Sequence, residues 1–421
     1  MIKVFKFGGA SVNSADAVRN VGTILQEYAT DKVFIVLSAM GKTTNDLELL
    51  ADSYFNQMTS TFSLFNNVKH YHLNITKELF AQNEHPIYKV LNQYFDDLAS
   101  IVAESPSENF NYEYDRIVSF GELISTQILQ HYLHEIGFSI AWADARNMIE
   151  TNDIYRNANV DWQVSPRLIK QQCGKLFTDY DFVISQGFIS RNSQGETTTL
   201  GREGSDFSAA IFAYALDAAS LTIWKDVPGL LNADPKYFDN TQKLDKVSFK
   251  ETIELAYYGA SIIHPKTIKP LQNKNIPLII KSFIEPQSEG SIIQADTYND
   301  QLIPSYIFKK NQVLISISPR DFSFIAESNL AEIFMQLSNY GLKANLMQNS
   351  AISFSLCIDE GGEEMIGFIQ EMQNDFKVRY NRNMELITIR HYNQKVIDDL
   401  IGDRKVYLEQ KSRSTVQLLV R

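Results

Sequence analysis

Lys6 ends an apolar run and is followed, after Phe7, by Gly8 and Gly9 (MIKVFKFGGASV). A strand over residues 2–7 places Ile2, Val4 and Lys6 on one face, where an unpaired charge is costly. The lysine therefore either snorkels to solvent or meets a partner. The glycines favour a partner, because without Cβ atoms they let backbone N–H groups approach an anion. Together the three residues suggest phosphate, although a plain strand–Gly–Gly turn has the same spelling.

The most specific segment is TTTLGREGSD, residues 197–206. Gly201 and Gly204 bracket Arg202 and Glu203, and FSAAIFAYAL then opens a helix whose free N–H groups face the loop. Arg202 can fork onto a carboxylate or phosphate. Asp206 can accept from lysines or hold a magnesium ion. In VSFGELIS, Glu122 reads as entering a helix just after Gly121, with a solvated first-turn glutamate as the plain alternative. Ser38, Gly41, Lys42, Thr43, Thr44 and Asn45 make a polar turn, suited to a small polar substrate or simply to capping a helix that starts at Asn45. A P-loop is excluded there, since the glycine it needs five residues before Gly41 is Val36. WKDVPGLLNADPK, residues 224–236, sets Lys225, Asp226 and Lys236 among turn formers and can wrap a base and ribose. In YYGASIIHPKTIKP, His264 reads as structural, and Lys266 follows Pro265. His131 and His134 are three apart, and the other histidines are dispersed. Neither they nor Cys173 and Cys357 make a metal or nucleophile pattern.

Six short apolar runs must position these groups: residues 2–7, 33–38, 138–143, 182–186, 221–224 and 277–282. They alternate with helical patterns, and several are apolar on both faces. This predicts an α/β domain with a mostly parallel central sheet sandwiched by helices. Ligands are then expected at the C-terminal strand ends, where the polar and glycine-rich segments fall. Residues 46–110 show helical spacing without strand signals and read as inserted helices, a lid over the substrate. Polar, broken text over 285–304 marks a linker. Beyond it, strands and helices in the order βαββαβ give an α+β module over about 313–383, and the pattern recurs in shortened form over 384–421. A complete module needs roughly 65 residues, more than the 38 available in 384–421. A strand from elsewhere is expected to complete it, residues 306–311 being the best candidate. The expected domains are thus 1–284 and 305–421, joined by 285–304.

The chain's 421 residues suggest two or three domains. A net charge of −11 argues against a nucleic-acid or anionic-membrane partner. Two cysteines fit a reducing compartment. Neither a signal-peptide pattern nor a bilayer-length apolar run is evident, so a cytoplasmic protein is expected.

KFGGASV, SAMGKTTN, VSFGE, TTTLGREGSD and WKDVPG followed by ADP occur in this order in aspartate kinases. The chain resembles a monofunctional member of that group, within the amino-acid kinase superfamily, over essentially its whole length. Its tail resembles the ACT repeats these enzymes carry. The resemblance implies transfer of the ATP γ-phosphoryl group to the β-carboxylate of L-aspartate. The product would be 4-phospho-L-aspartate, at the head of lysine, threonine and methionine synthesis. It implies catalytic roles for Lys6 and Asp206, and an aspartate site of Ser38, Thr44, Glu122, Arg202 and Ser205. Glu122 would take the ammonium and Arg202 the α-carboxylate. It implies an ATP site of Lys6, Gly8, Gly9, Lys225, Asp226, Lys236 and Lys266, with Mg2+ carried by ATP and no metal site of the protein's own. Three departures stand out. Glu203 and Leu231 stand where many relatives have glycine and tyrosine, and Ser261 stands where many have a basic residue, for which Lys266 is the candidate replacement. Strand edges left open in such modules pair across a two-fold axis, so a homodimer through 305–421 is expected. The resemblance implies a lysine or threonine effector near 318–322 and 345–350, and with 421 residues no fused homoserine dehydrogenase is expected. The rival readings are a superfamily kinase for acetylglutamate, glutamate or a nucleotide, and a non-catalytic amino-acid sensor. Retention of Lys6, Arg202 and Asp206 speaks against the sensor.

Overall fold

The computed structural model describes residues 1–82, 84–238, 240–260, 263–298, 300, 303–321 and 323–421. Ser261 and Phe322 lie outside the described residues. The chain divides into two units, one of residues 1–230, 243–253 and 263–297, the other of 231–242, 254–262 and 298–421.

The first unit is built on an eight-stranded sheet. Its order is Lys246–Ser248, Ser291–Gln294, Leu278–Ser282, Ser220–Lys225, Ile2–Phe7, Lys32–Leu37, Phe182–Gln186 and Ile140–Ala143. The six strands from Leu278–Ser282 to Ile140–Ala143 run parallel, and Ser291–Gln294 pairs antiparallel to Leu278–Ser282. Val33, Phe34, Ile35, Val36 and Leu37 are all fully buried, as in a strand covered on both faces. Ile2–Phe7 lies in the middle, and the chain moves outward from it to one side through Lys32–Leu37 and to the other through Ser220–Lys225. That reversal is a topological switch point, where a crevice opens at the C-terminal strand ends.

Helices Thr43–Phe55, Thr61–Leu79, Pro86–Ala103 and Phe110–Glu135 follow one another without an intervening strand. Phe65, Ile75, Leu91, Phe95 and Leu98 from these helices belong to the same core as Phe5, Ile35 and Leu37 of the sheet. Phe110–Glu135 is 26 residues long, which corrects the expectation that a helix begins after Gly121. Gly121 is not a break. A Cβ there would stand 2.9 Å from the Ala39 Cβ, so the missing side chain lets the helix seat against the Ala39 turn. Among the described residues, no helix is long and apolar enough to cross a membrane.

The second unit carries a six-stranded antiparallel sheet in the order Ala344–Asn349, Phe354–Asp359, Ser305–Pro319, Phe376–Arg390, Thr415–Val420 and Val406–Lys411. The two central strands are 15 residues each and pair from end to end, with register shifts between Lys309 and Leu314. Residues 312–319 and 376–384, with the two strands before Asp359, make one four-stranded half covered by helices Glu327–Asn339 and Glu363–Asp375. Residues 305–309 pair with 386–390 and complete a second half with Thr415–Val420, Val406–Lys411 and helix Gln394–Ile401. Both halves follow the same strand order. Each long strand turns from one half to the other at an asparagine in left-handed backbone, Asn311 (φ 55°) and Asn383 (φ 57°), a conformation asparagine tolerates better than most residues.

Candidate active site

A cavity of about 510 Å³ opens at the switch point. Lys6, at the C-terminal end of its strand, reaches it, and its Nζ lies 2.6 Å from Asp206 Oδ1. The two side chains are only 11% and 6% exposed, so each answers the other's buried charge. Asp206 sits in the first turn of helix Gly204–Ala215, where the unpaired N–H groups and the helix dipole favour a carboxylate or a bound anion. The lysine left without a partner by the N-terminal motif thus has one inside the protein, from the segment the sequence marked as most specific.

Glu122 lines the same cavity and is 2% exposed. Its Oε1 accepts from the Ala39 N–H at 3.3 Å, while Oε2 has no hydrogen-bond partner among the described residues. Burial pushes its carboxyl up to about 8, against the pull of that N–H and of the Lys6 charge. The solvated first-turn glutamate allowed by the sequence is therefore corrected to a buried mid-helix one, with one oxygen left without a hydrogen-bond partner among the described residues. Ser38, Thr44, Arg202 and Ser205 line the cavity as well. Ser38 is held through its carbonyl, which accepts from Ser125 Oγ at 2.8 Å. Arg202 forms no ion pair among the described residues.

Gly8 lies beside this pair, since a Cβ there would stand 3.5 Å from Lys6 Nζ. Gly9 is required by a different neighbour: its Cβ would lie 2.6 Å from the Gly41 carbonyl oxygen and 2.8 Å from that of Ala39. The remaining candidates do not line the cavity. Lys225 ends its strand, Asp226 is exposed, and Lys236 belongs to the second unit. Lys266 donates to Asn157 Oδ1 at 2.6 Å and lines a separate cavity of about 570 Å³ with Trp162, Phe207 and Tyr214.

Glu48, Tyr114, Arg156, Phe188 and Glu203 complete the wall. Glu48 Oε1 accepts from Tyr114 Oη at 2.5 Å, and together with burial this holds the phenol well above its usual pKa. Glu48 is four residues beyond Thr44, so helical spacing could have found it. Tyr114 precedes Glu122 by about two turns and was hidden by placing the helix start too late. Glu203 has left-handed backbone (φ 54°), the reason glycine suits this position, and its Oε2 accepts from the His264 N–H at 2.9 Å. Among the described residues, no group of three His, Cys, Asp or Glu side chains is placed to hold a metal ion.

The amino acid kinase family profile matches residues 1–282. Lysine-sensitive aspartokinase 3 of Escherichia coli (strain K12) is 31% identical over 371 residues, which span 87% of this chain and 80% of that protein. The chain belongs to the amino acid kinase family, among its aspartokinases. Two solved structures of E. coli aspartokinase III superpose on the whole of it at 26% identity, covering 96% of the solved chain. The complex with aspartate and ADP gives a TM-score of 0.81, and the complex with lysine and aspartate gives 0.83. This aspartokinase-family chain also carries the ACT-like module in its second unit. There Asn345, expected near an effector, is engaged: it accepts from Lys309 Nζ at 2.8 Å and donates to Gln312 Oε1 at 2.9 Å and Asp359 Oδ1 at 3.0 Å.

Proposed function

We propose that the chain transfers the γ-phosphoryl group of ATP to the β-carboxylate of L-aspartate, giving 4-phospho-L-aspartate. The observation that carries this reading is the buried Glu122 with one unpartnered oxygen, in the same cavity as the Lys6–Asp206 pair. A carboxylate so placed calls for a cation, and the ammonium of an amino acid supplies one. An N-acetylated acid would not, which favours aspartate over the acetylglutamate alternative.

The chemistry asks little of the protein beyond placement. A β-carboxylate is ionised at neutral pH and needs no general base. The difficulty is bringing one anion to another, so positioning and charge neutralisation dominate. Lys6 would meet the transferring phosphoryl oxygens, with backbone donors at Gly8 and Gly9. Asp206 would hold the lysine in place or orient magnesium carried by the nucleotide. That ion would neutralise phosphate charge. Thr44, Ser38 and Ser205 would orient aspartate, and Arg202 would take its α-carboxylate. Lys225, Asp226, Lys236 and Lys266 remain the proposed nucleotide contacts.

Lysine or threonine would act as effector at 318–321 and 345–350, and the enzyme would work as a cytoplasmic homodimer joined through 305–421. Because the Asn345 side chain is occupied, an effector would read neighbouring residues of that strand. The test is an acyl-phosphate trap. With aspartate, Mg-ATP and hydroxylamine, folded protein should yield aspartyl hydroxamate, and N-acetylaspartate should yield none. Background hydroxamate at millimolar substrates would overturn the proposal.

A further inference from the structure

Three non-glycine residues of the cavity wall hold left-handed backbone: Arg156 (φ 64°), Phe188 (φ 67°) and Glu203 (φ 54°). Such backbone suits glycine, and a side chain kept there commonly marks function. Phe188 packs against the core, and Glu203 holds the His264 N–H. Among the described residues, the Arg156 side chain neither enters the core nor holds a main-chain group. Its main-chain N–H donates to Asp115 Oδ2 at 3.0 Å, but any residue could make that bond. Its guanidinium lies 4.3 Å from the centre of the Tyr114 ring and 5.6 Å from that of Phe110. One long bond of 3.4 Å reaches Asn111, and no ion pair is formed among the described residues. An arginine is thus stacked in place, in the same cavity as an equally unpaired Arg202, within an acidic protein.

The roots of both arginines meet at one buried group. Asp115 accepts from the Thr199 N–H at 2.9 Å and the Thr199 hydroxyl at 2.7 Å, besides the Arg156 N–H. Thr199 stands three residues before Arg202, and its carbonyl accepts from the Ala158 N–H at 2.9 Å, closing the two loops on each other. Asp115 lies on helix Phe110–Glu135, which also carries Glu122.

We infer that Arg156 is a second carboxylate-binding residue, acting with Arg202 on the α-carboxylate of the amino-acid substrate, and that Asp115 is the positioning residue that fastens both. This rests on the aspartate reading given above. Two planar forks on one carboxylate would select a free amino acid over its α-amide.

Arg156→Gly is the test, because glycine fits the backbone there and keeps the N–H bond to Asp115. The variant should keep the parent's melting temperature. Its KM for aspartate should rise about 10- to 100-fold, the usual weight of a hydrogen bond to a charged group, with kcat within about threefold. Isoasparagine, whose β-carboxylate is free but whose α-carboxylate is an amide, should show the same KM in parent and variant. Asp115→Asn should raise the aspartate KM too. It should also remove the additional steepening of that KM below pH 6, beyond the slope set by Glu122, where Asp115, raised to about 6 by burial, takes up a proton and loses acceptor strength. Parent protein that never phosphorylates aspartate overturns both readings. An active parent with Arg156→Gly unchanged in aspartate KM, or raised equally on isoasparagine, overturns the second arginine alone. A parent pH profile that Asp115→Asn leaves intact overturns the positioning role.

Discussion

Glu122 should make aspartate binding a proton-releasing event. Burial raises its carboxyl to about 8, so at pH 7 about nine molecules in ten carry the proton. An ammonium can pair only with the ionised form. Aspartate binding should therefore release about 0.9 proton at pH 7 and about 0.1 at pH 9. Apparent affinity should fall about tenfold for each pH unit below 8, a loss of ~1.4 kcal/mol per unit. The same shift bears on the unliganded fold. Because the folded value exceeds the ordinary 4.5, the contribution of neutral Glu122 to stability is complete below pH 4.5 and is lost as pH rises through about 8. Bound aspartate should remove that loss. Calorimetric titration of aspartate in two buffers of different ionisation enthalpy, with ADP present, reads the proton count directly. Glu122→Gln should bind aspartate weakly and release no proton. Release below about 0.3 proton at pH 7, or an affinity flat between about pH 6 and 8, would refute the pairing.

Lys6→Ala should lower kcat by ~10²–10³ per folded molecule, and should also lower the melting temperature, because Asp206 is left buried without its partner. A kcat within about threefold of the parent would remove Lys6 from the transition state. At least one of lysine and threonine should bind the folded enzyme more tightly than about 10 mM, equivalent to ~2.7 kcal/mol. Mg-ATP with aspartate should weaken that binding by the factor through which the effector weakens theirs. If calorimetry finds neither amino acid binding, the effector role proposed for residues 305–421 falls.

The central sheet was legible because its strands are short, apolar on both faces and separated by helical text. Phe182–Gln186 matches its apolar run to the residue. Lys6 and Asp206 were legible because glycine, lysine and an acid stand close to a strand end and a helix start. Glu122 was found by motif but misread by environment. Gly121 looks like a helix start when only local sequence is considered, and the turn at Ala39 that demands it is 82 residues away. Arg156 and Asp115 gave no signal, because one sits in an ordinary polar loop and the other in a helix read as beginning later. Their meaning comes from Thr199, distant in sequence and adjacent in space. The place of residues 254–258 in the second unit was hidden for a related reason: they continue a helix that begins at Phe249 in the first.

The two long strands Ser305–Pro319 and Phe376–Arg390 run unbroken through both halves of their sheet, although their pairing shifts register between Lys309 and Leu314. A break in those strands would let one half loosen while the other stayed folded. Here every backbone hydrogen bond at the centre belongs to a strand that continues into both halves, so the 305–421 sheet should open as a single cooperative unit. Strain entering at Ala344–Asn349 has a covalent route along the central strands to Val406–Lys411 at the far edge. The departures from regular strand backbone along that route are at Asn311 and Asn383. Any change of twist in this sheet would therefore be taken up first at the two asparagines, with no surfaces having to slide past each other.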